Sequence, residues 1–167
     1  MLARVLLAAG SVHDALRVVD EACERFLRTV GDRHVRIADC DALRARLHLL
    51  NGDVDEAVRA ATRCEQLRAE MLYEDHWEVL EARLLRLRAT VAEGADAAAL
   101  VEVDDELRTI EEDAAARLGV DHALTLRAAA ARVECAAAAG NVELRGELEP
   151  RLERLRDSRR RRVREPR

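Results

Sequence analysis

The sequence predicts an all-α protein, an α-solenoid of stacked antiparallel helix hairpins, and three observations lead there. Glycines close apolar-periodic stretches at a near-constant interval: Gly10, Gly52, Gly94 and Gly140 are 42, 42 and 46 residues apart. A second series, His34, His76 and His122, keeps the same 42 and 46. The composition is that of helices: Ala, Leu, Arg and Glu dominate, and only Phe26, Tyr73 and Trp77 are aromatic. A third register, Ala15, Ala57 and Ala99, lies five residues after each of the first three glycines. Self-similarity at periods of about 20–50 residues is the mark of repeat architectures, in which each unit buries its apolar face against the next.

The elements follow in chain order. The apolar run from Met1 to Ala9 ends at Gly10 and is read as helix 1–9. It faintly resembles a signal peptide, but its short apolar stretch fits the repeat better. Ser11 with Asp14 approximates a capping box and opens helix 12–30, which Gly31 closes. The segment Asp32-Arg33-His34 is a looser joint leading into helix 35–50. Gly52 makes a tight turn, and Asp53 with Glu56 is read as a second capping box. Helix 54–73 carries the stripe Val54, Ala57, Ala61, Cys64, Leu67, Met71. After the joint Asp75-His76, helix 76–92 repeats the pattern with Trp77, Leu80, Leu84, Leu87 and Val91. Helix 97–118 has the longest stripe, Leu100 to Leu118, and absorbs the four extra residues of the last interval as about one turn. Helices 122–139 and 142–157 complete the set. Pro150 is expected to kink or restart the last of them. The domain boundaries are therefore 1–157 for the helical repeats and 158–167 for a basic, disordered tail.

Charge narrows the function. All 28 basic residues are Arg, which points to a G+C-rich, bacterial genome. Residues 158–167 hold six Arg and one Glu, leaving 22 Arg against 32 acids elsewhere. An acidic body disfavours nucleic acid, and only the tail can meet a phosphate backbone. Cys23, Cys40, Cys64 and Cys135 form no C-x-x-C pair and lie in helical patterns, so they read as buried free thiols in a reducing, cytoplasmic setting. No apolar run approaches 18 residues, so no membrane span is expected. There is no phosphate loop, H-E-x-x-H or nucleophile elbow, so no enzyme, cofactor or metal is expected. The three histidines sit at equivalent joints about a helix diameter apart, too far for one ion, and are read as local caps.

At this point the residues resemble a known family. Leu2-Ala3-Arg4-Val5-Leu6-Leu7-Ala8-Ala9-Gly10, followed by Asp14-Ala15-Leu16, is similar to the tetratricopeptide signature. A second copy runs from Ala45 and Leu47 through Gly52 to Glu56-Ala57-Val58. The 42-residue period and the Gly-x-x-His joint resemble the kinesin-light-chain subtype, over roughly residues 1–145. That subtype has Pro after the joint His, where Val35, Trp77 and Ala123 stand here. Leu87 occupies a small-residue position, and Arg145-Gly146 replaces the fourth Ala, so repeat four reads as a degenerate cap. The first helix is short, as in a chain that begins mid-repeat or with half a cap. The resemblance implies about three and a half repeats in a right-handed superhelix with a concave, partner-binding groove.

The candidate site follows from the same register. Arg4, Arg46 and Arg88 are 42 residues apart, each six before its turn glycine, and Glu134 takes the fourth place. By resemblance this position lines the inner groove. Asp39 and Glu81 share a second inner position, with Arg127 as its fourth-repeat equivalent. A row of guanidinium groups can clamp a peptide carboxylate, an acidic segment or a free chain terminus. It can equally pair with Asp39 and Glu81. The expected function is a protein–protein interaction or scaffold module, a regulatory part of a larger bacterial protein. The alternatives are a homodimer through apolar surface around Val5, Val19 and Phe26, or contact of the Arg-rich tail with an acidic partner or nucleic acid.

Overall fold

The structure is a computed structural model that describes residues 11–74 and 76–164. The first expected helix lies outside the described residues, and with it Arg4 and Val5. Among the described residues there are seven helices and no strand: α1 (Val12–Val30), α2 (Val35–Asn51), α3 (Val54–Met71), α4 (Trp77–Glu93), α5 (Ala97–Leu118), α6 (Ala123–Ala138) and α7 (Val142–Arg164). None of these helices is long and apolar enough to cross a membrane.

The joints show why the chain folds where it does. At Gly52 the backbone turns left-handed (φ 83°), and the Asp53 N–H donates to the His48 carbonyl at 2.9 Å. Gly140 (φ 65°) repeats this with Asn141 N–H on the Ala136 carbonyl at 2.9 Å. A six-to-one bond around a left-handed glycine satisfies carbonyls that the helix end would leave bare. At the looser joints each histidine caps the following helix. Nδ1 of His34, His76 and His122 accepts from the N–H two residues on, at 3.1, 3.2 and 3.2 Å. The carboxylates expected to do this work act otherwise. Ser11 bonds the Asp14 side chain rather than the backbone. Asp53 makes no cap bond and is taken by the Asn51 amide at 2.7 Å. That amide, and then His48, hold the Asp53 carboxyl below its usual range. Asp96 and Asn141 do cap, accepting from Ala99 and Leu144.

The chain forms two compact units, one ending at Glu93 and one beginning at Gly94. In the first, α1 packs on α2, α2 on α3 and α3 on α4, and α2 also touches α4. Ala38, Ala42 and Ala45 of α2 meet Ala61 and Cys64 of α3 and Ala82 and Leu85 of α4. Small side chains let these backbones approach closely, which is how a core poor in aromatics fills its space. Ala15 and Ala57 are fully buried, whereas their equivalent Ala99 is half-buried. Val19, expected to be uncovered, is buried among Cys23, Ile37 and Cys40, and Phe26 packs half-buried on the same cluster. In the second unit α5 packs on α6 and α6 on α7. Its buried side chains include Leu107 and Ile110 from α5, Leu124 and Ala128 from α6, and Leu148 and Leu152 from α7.

Helix α7 passes Pro150 without a break and runs to Arg164, across the described part of the stretch 158–167. Gly146 stands four residues before the proline, and both are exposed, so water can take the carbonyl that loses its donor. Beyond 157 the helix is held from outside and along its own face. Arg162 pairs with Asp121 of the joint before α6 at 2.9 Å. Arg160 and Arg156 pair with acids one turn earlier, and Arg near a helix C-terminus complements the macrodipole.

Candidate functional site

The expected site residues fall into two groups, one in each unit. In the first unit Asp39 and Arg46 lie on α2, and Glu81 and Arg88 on α4. Arg46 Nη2 donates to Glu81 Oε1 at 3.0 Å across the α2–α4 contact. Asp39 and Glu81 are joined through a residue that the sequence reading passed over, Arg68 near the end of α3. Its guanidinium is buried. It donates to the Glu78 carbonyl at 2.9 Å and to Asp39 Oδ1 at 3.2 Å, and the Glu78 and Glu81 carboxylates lie at 3.9 Å. A buried guanidinium is tolerable only when such partners replace its water. The 42-residue register places Arg68 level with Phe26 and Ile110, so an arginine at an apolar position was the available signal. In the second unit Arg127 and Glu134 lie on α6, Arg127 half-buried and Glu134 exposed.

A second arginine row, absent from the sequence-predicted site, repeats with the period of the histidines. Arg44, Arg86 and Arg132 are 42 and 46 residues apart, on α2, α4 and α6. Each reaches back to an acid on the preceding helix. Arg44 Nε donates to Asp20 on α1 at 2.7 Å, and Arg86 Nε to Glu65 on α3 at 2.6 Å. Arg132 binds Asp104 on α5 with two bonds of 2.9 Å and Glu111 with one of 3.3 Å. Glu111 is buried and takes Arg151 of α7 on its other oxygen at 2.8 Å. These pairs staple successive helices together.

All four cysteines are free and buried. Burial first, and then Cys23, push the Cys40 thiol up to about 12, and burial raises Cys64 and Cys135 to about 11. Thiols so protonated are poor nucleophiles and poor metal ligands at neutral pH. Among the described residues no three His, Cys, Asp or Glu side chains gather as a metal cage.

The hairpins, their turn glycines and their capping joints can now be set beside known proteins. A crystal structure of a candidate kinesin light chain from Podosopora anserina, with nearly identical TPR-like repeats, superposes with a TM-score of 0.71. The alignment covers 96% of this chain and 74% of that one at 22% identity. A second structure of that protein gives 0.67 over 94% and 72%, again at 22% identity. The fold is TPR-like. No protein-family profile matches the chain, and no curated protein matches it by sequence. At this identity the likeness is one of fold, and the residues of the TPR-like hairpins must speak for what they bind.

Proposed function

We propose that this TPR-like chain is a protein–protein interaction module that holds an acidic segment or a free chain terminus of a partner. The docking surface is the face shared by α2 and α4, the inner face by resemblance, with Arg46 and Arg88 as its positive residues and Asp39 and Glu81 beside them. The observation that carries the reading is the Arg46–Glu81 pair. It bridges the two helices at 3.0 Å with the Arg46 side chain about a third exposed (36%). The arginine side of the pair is open to water while Glu81 is mostly covered (17% exposed), so an incoming carboxylate can compete with Glu81 for the outer part of the guanidinium. Glu81 then keeps Arg68, 3.9 Å away. Arg127 and Glu134 extend the same register on α6. The all-Arg basic composition supports a bacterial origin and the four free thiols a reducing cytoplasm, and in that setting the module serves a regulatory or scaffold role.

The test is a pull-down with wild type and Arg46→Ala, followed by titration of the partner obtained with both proteins. Loss of a charge-assisted hydrogen bond should weaken binding by about 1.5–3 kcal/mol, and added salt should weaken the wild-type complex. Equal affinity for both proteins would place the ligand elsewhere.

A further inference from the structure

The second unit holds a cavity whose lining includes Arg127 of α6. It is a groove of about 620 Å³ between α6 and the C-terminal part of α7. Leu126 and Ala130 of α6 and Val163 of α7 form an apolar floor. Arg156, Arg159 and Arg160 rise along one side. The Arg162–Asp121 pair, at 2.9 Å, links the overhanging turns of α7 to the joint before α6. Val163 is 76% exposed at the end of this floor, an apolar side chain without cover.

We propose that this groove is a second docking site, for an acidic amphipathic helix of a partner protein. Charge and shape select that occupant together. The α7 stretch 154–164 carries seven Arg and one Asp, the densest positive charge in a chain that is acidic elsewhere. Arg159 has no ion pair among the described residues. Arg156 and Arg160 hold only exposed acids one turn away, Glu153 and Asp157, contacts that a ligand carboxylate can replace. The floor asks for apolar side chains, and the lining runs from Ala123 to Ala130 and from Arg156 to Val163, seven steps or about 10 Å along each helix at 1.5 Å per residue. Two apolar anchors at i and i+4, or three with i+7, fit that length. Nucleic acid is the poorer fit, since no aromatic side chain lines the groove to stack a base.

The experiment uses the full chain and a labelled 18-residue probe peptide, Leu on one helical face and Glu on its flanks, read by fluorescence anisotropy. A scrambled peptide of the same composition, poly-glutamate and a DNA duplex serve as comparisons. The helical probe should bind at least tenfold more tightly than the scrambled one or poly-glutamate. Arg159→Glu combined with Arg160→Glu should weaken it at least tenfold, and Val163→Ser about fivefold. All three positions are exposed, and circular dichroism should show the fold unchanged. Arg46→Ala should leave this binding unaltered, so failure here is separable from failure of the α2–α4 reading. Equal binding of helical and scrambled peptides would reduce the groove to a charged surface and overturn the proposal. So would tighter binding of DNA lost in the Arg159 and Arg160 variant, or no binding of the probe.

Discussion

Two rows of arginine run along the same helices, two residues apart, and they do different things. Arg44, Arg86 and Arg132 point back at the preceding helix and are bound there by Asp20, Glu65, and Asp104 with Glu111. Arg46, two residues on, lies about 200° further round the helix at 100° per residue. It meets Glu81 of the next hairpin's first helix instead, with the arginine about a third exposed and the glutamate mostly covered. On α2 and α4 the residue type and the 42-residue spacing are the same in both rows, while on α6 Glu134 stands two residues after Arg132. What separates them is which neighbouring helix each faces, and how far water reaches. The first row ties successive helices together; in the second, Arg46 has its ion pair where the arginine is about a third open to water, and the proposed function makes use of that opening.

The comparison breaks most easily at Arg132. Its guanidinium is nearly buried and answers both Asp104 and the buried Glu111. Arg132→Ala strands those carboxylates, and only Arg151 remains on Glu111. The expected loss is about 3–5 kcal/mol of unfolding free energy, measured by urea titration. A loss under about 1 kcal/mol would show that the row is not structural. Arg86→Ala is the intermediate case. Glu65 keeps Arg83 at 3.0 Å, so about 1.5–3 kcal/mol should go with one charged hydrogen bond.

How much of this was legible in the sequence depends on whether a feature is local. Gly52 and Gly140 were readable because a left-handed turn writes itself into one residue and its neighbours. The joint histidines were readable as local caps for the same reason. The first arginine row repeats as regularly as the histidines, but its meaning depends on partners that do not. Asp20 and Asp104 are two periods apart, yet Thr62 stands between them, and repeat two uses Glu65 one turn later. Arg68 was hidden differently, since an arginine among apolar equivalents reads as noise until Asp39 and the Glu78 carbonyl are seen around it. The helical turns over 158–164 were not legible, because a run of like charge predicts repulsion and the Asp121 contact of Arg162 lies 41 residues away.

The histidine register gives a smaller effect that isolates a local role from an interhelix one. His76 Nδ1 accepts from Glu78 N–H at 3.2 Å and so occupies a first-turn donor of α4. His76→Ala should cost about 0.5–2 kcal/mol, and His76→Asn, which keeps a short acceptor there, should recover most of it. Equal losses for Ala and Asn would place the importance of His76 in its ring contact with Trp77, 5.9 Å between centroids, rather than in the cap.

The smallest expected change in stability is the one that matters most for function. Arg46→Ala removes an ion pair whose arginine is about a third exposed, and it leaves Glu81 within 3.9 Å of Arg68. Partly solvated pairs of this kind contribute about 0–1 kcal/mol, so the urea midpoint should move far less than in Arg86→Ala. If the second row serves a ligand, the same substitution should still weaken partner binding by about 1.5–3 kcal/mol. Measuring stability and affinity on one preparation of each variant therefore separates the rows on two axes. Arg86→Ala should lose stability, with affinity falling only as the folded fraction falls. Arg46→Ala should lose affinity with the folded fraction intact. If Arg46→Ala is instead as destabilising as Arg86→Ala, both rows are staples, the α2–α4 face offers no exchangeable cation at Arg46, and the search for the partner's contact moves to the groove between α6 and α7.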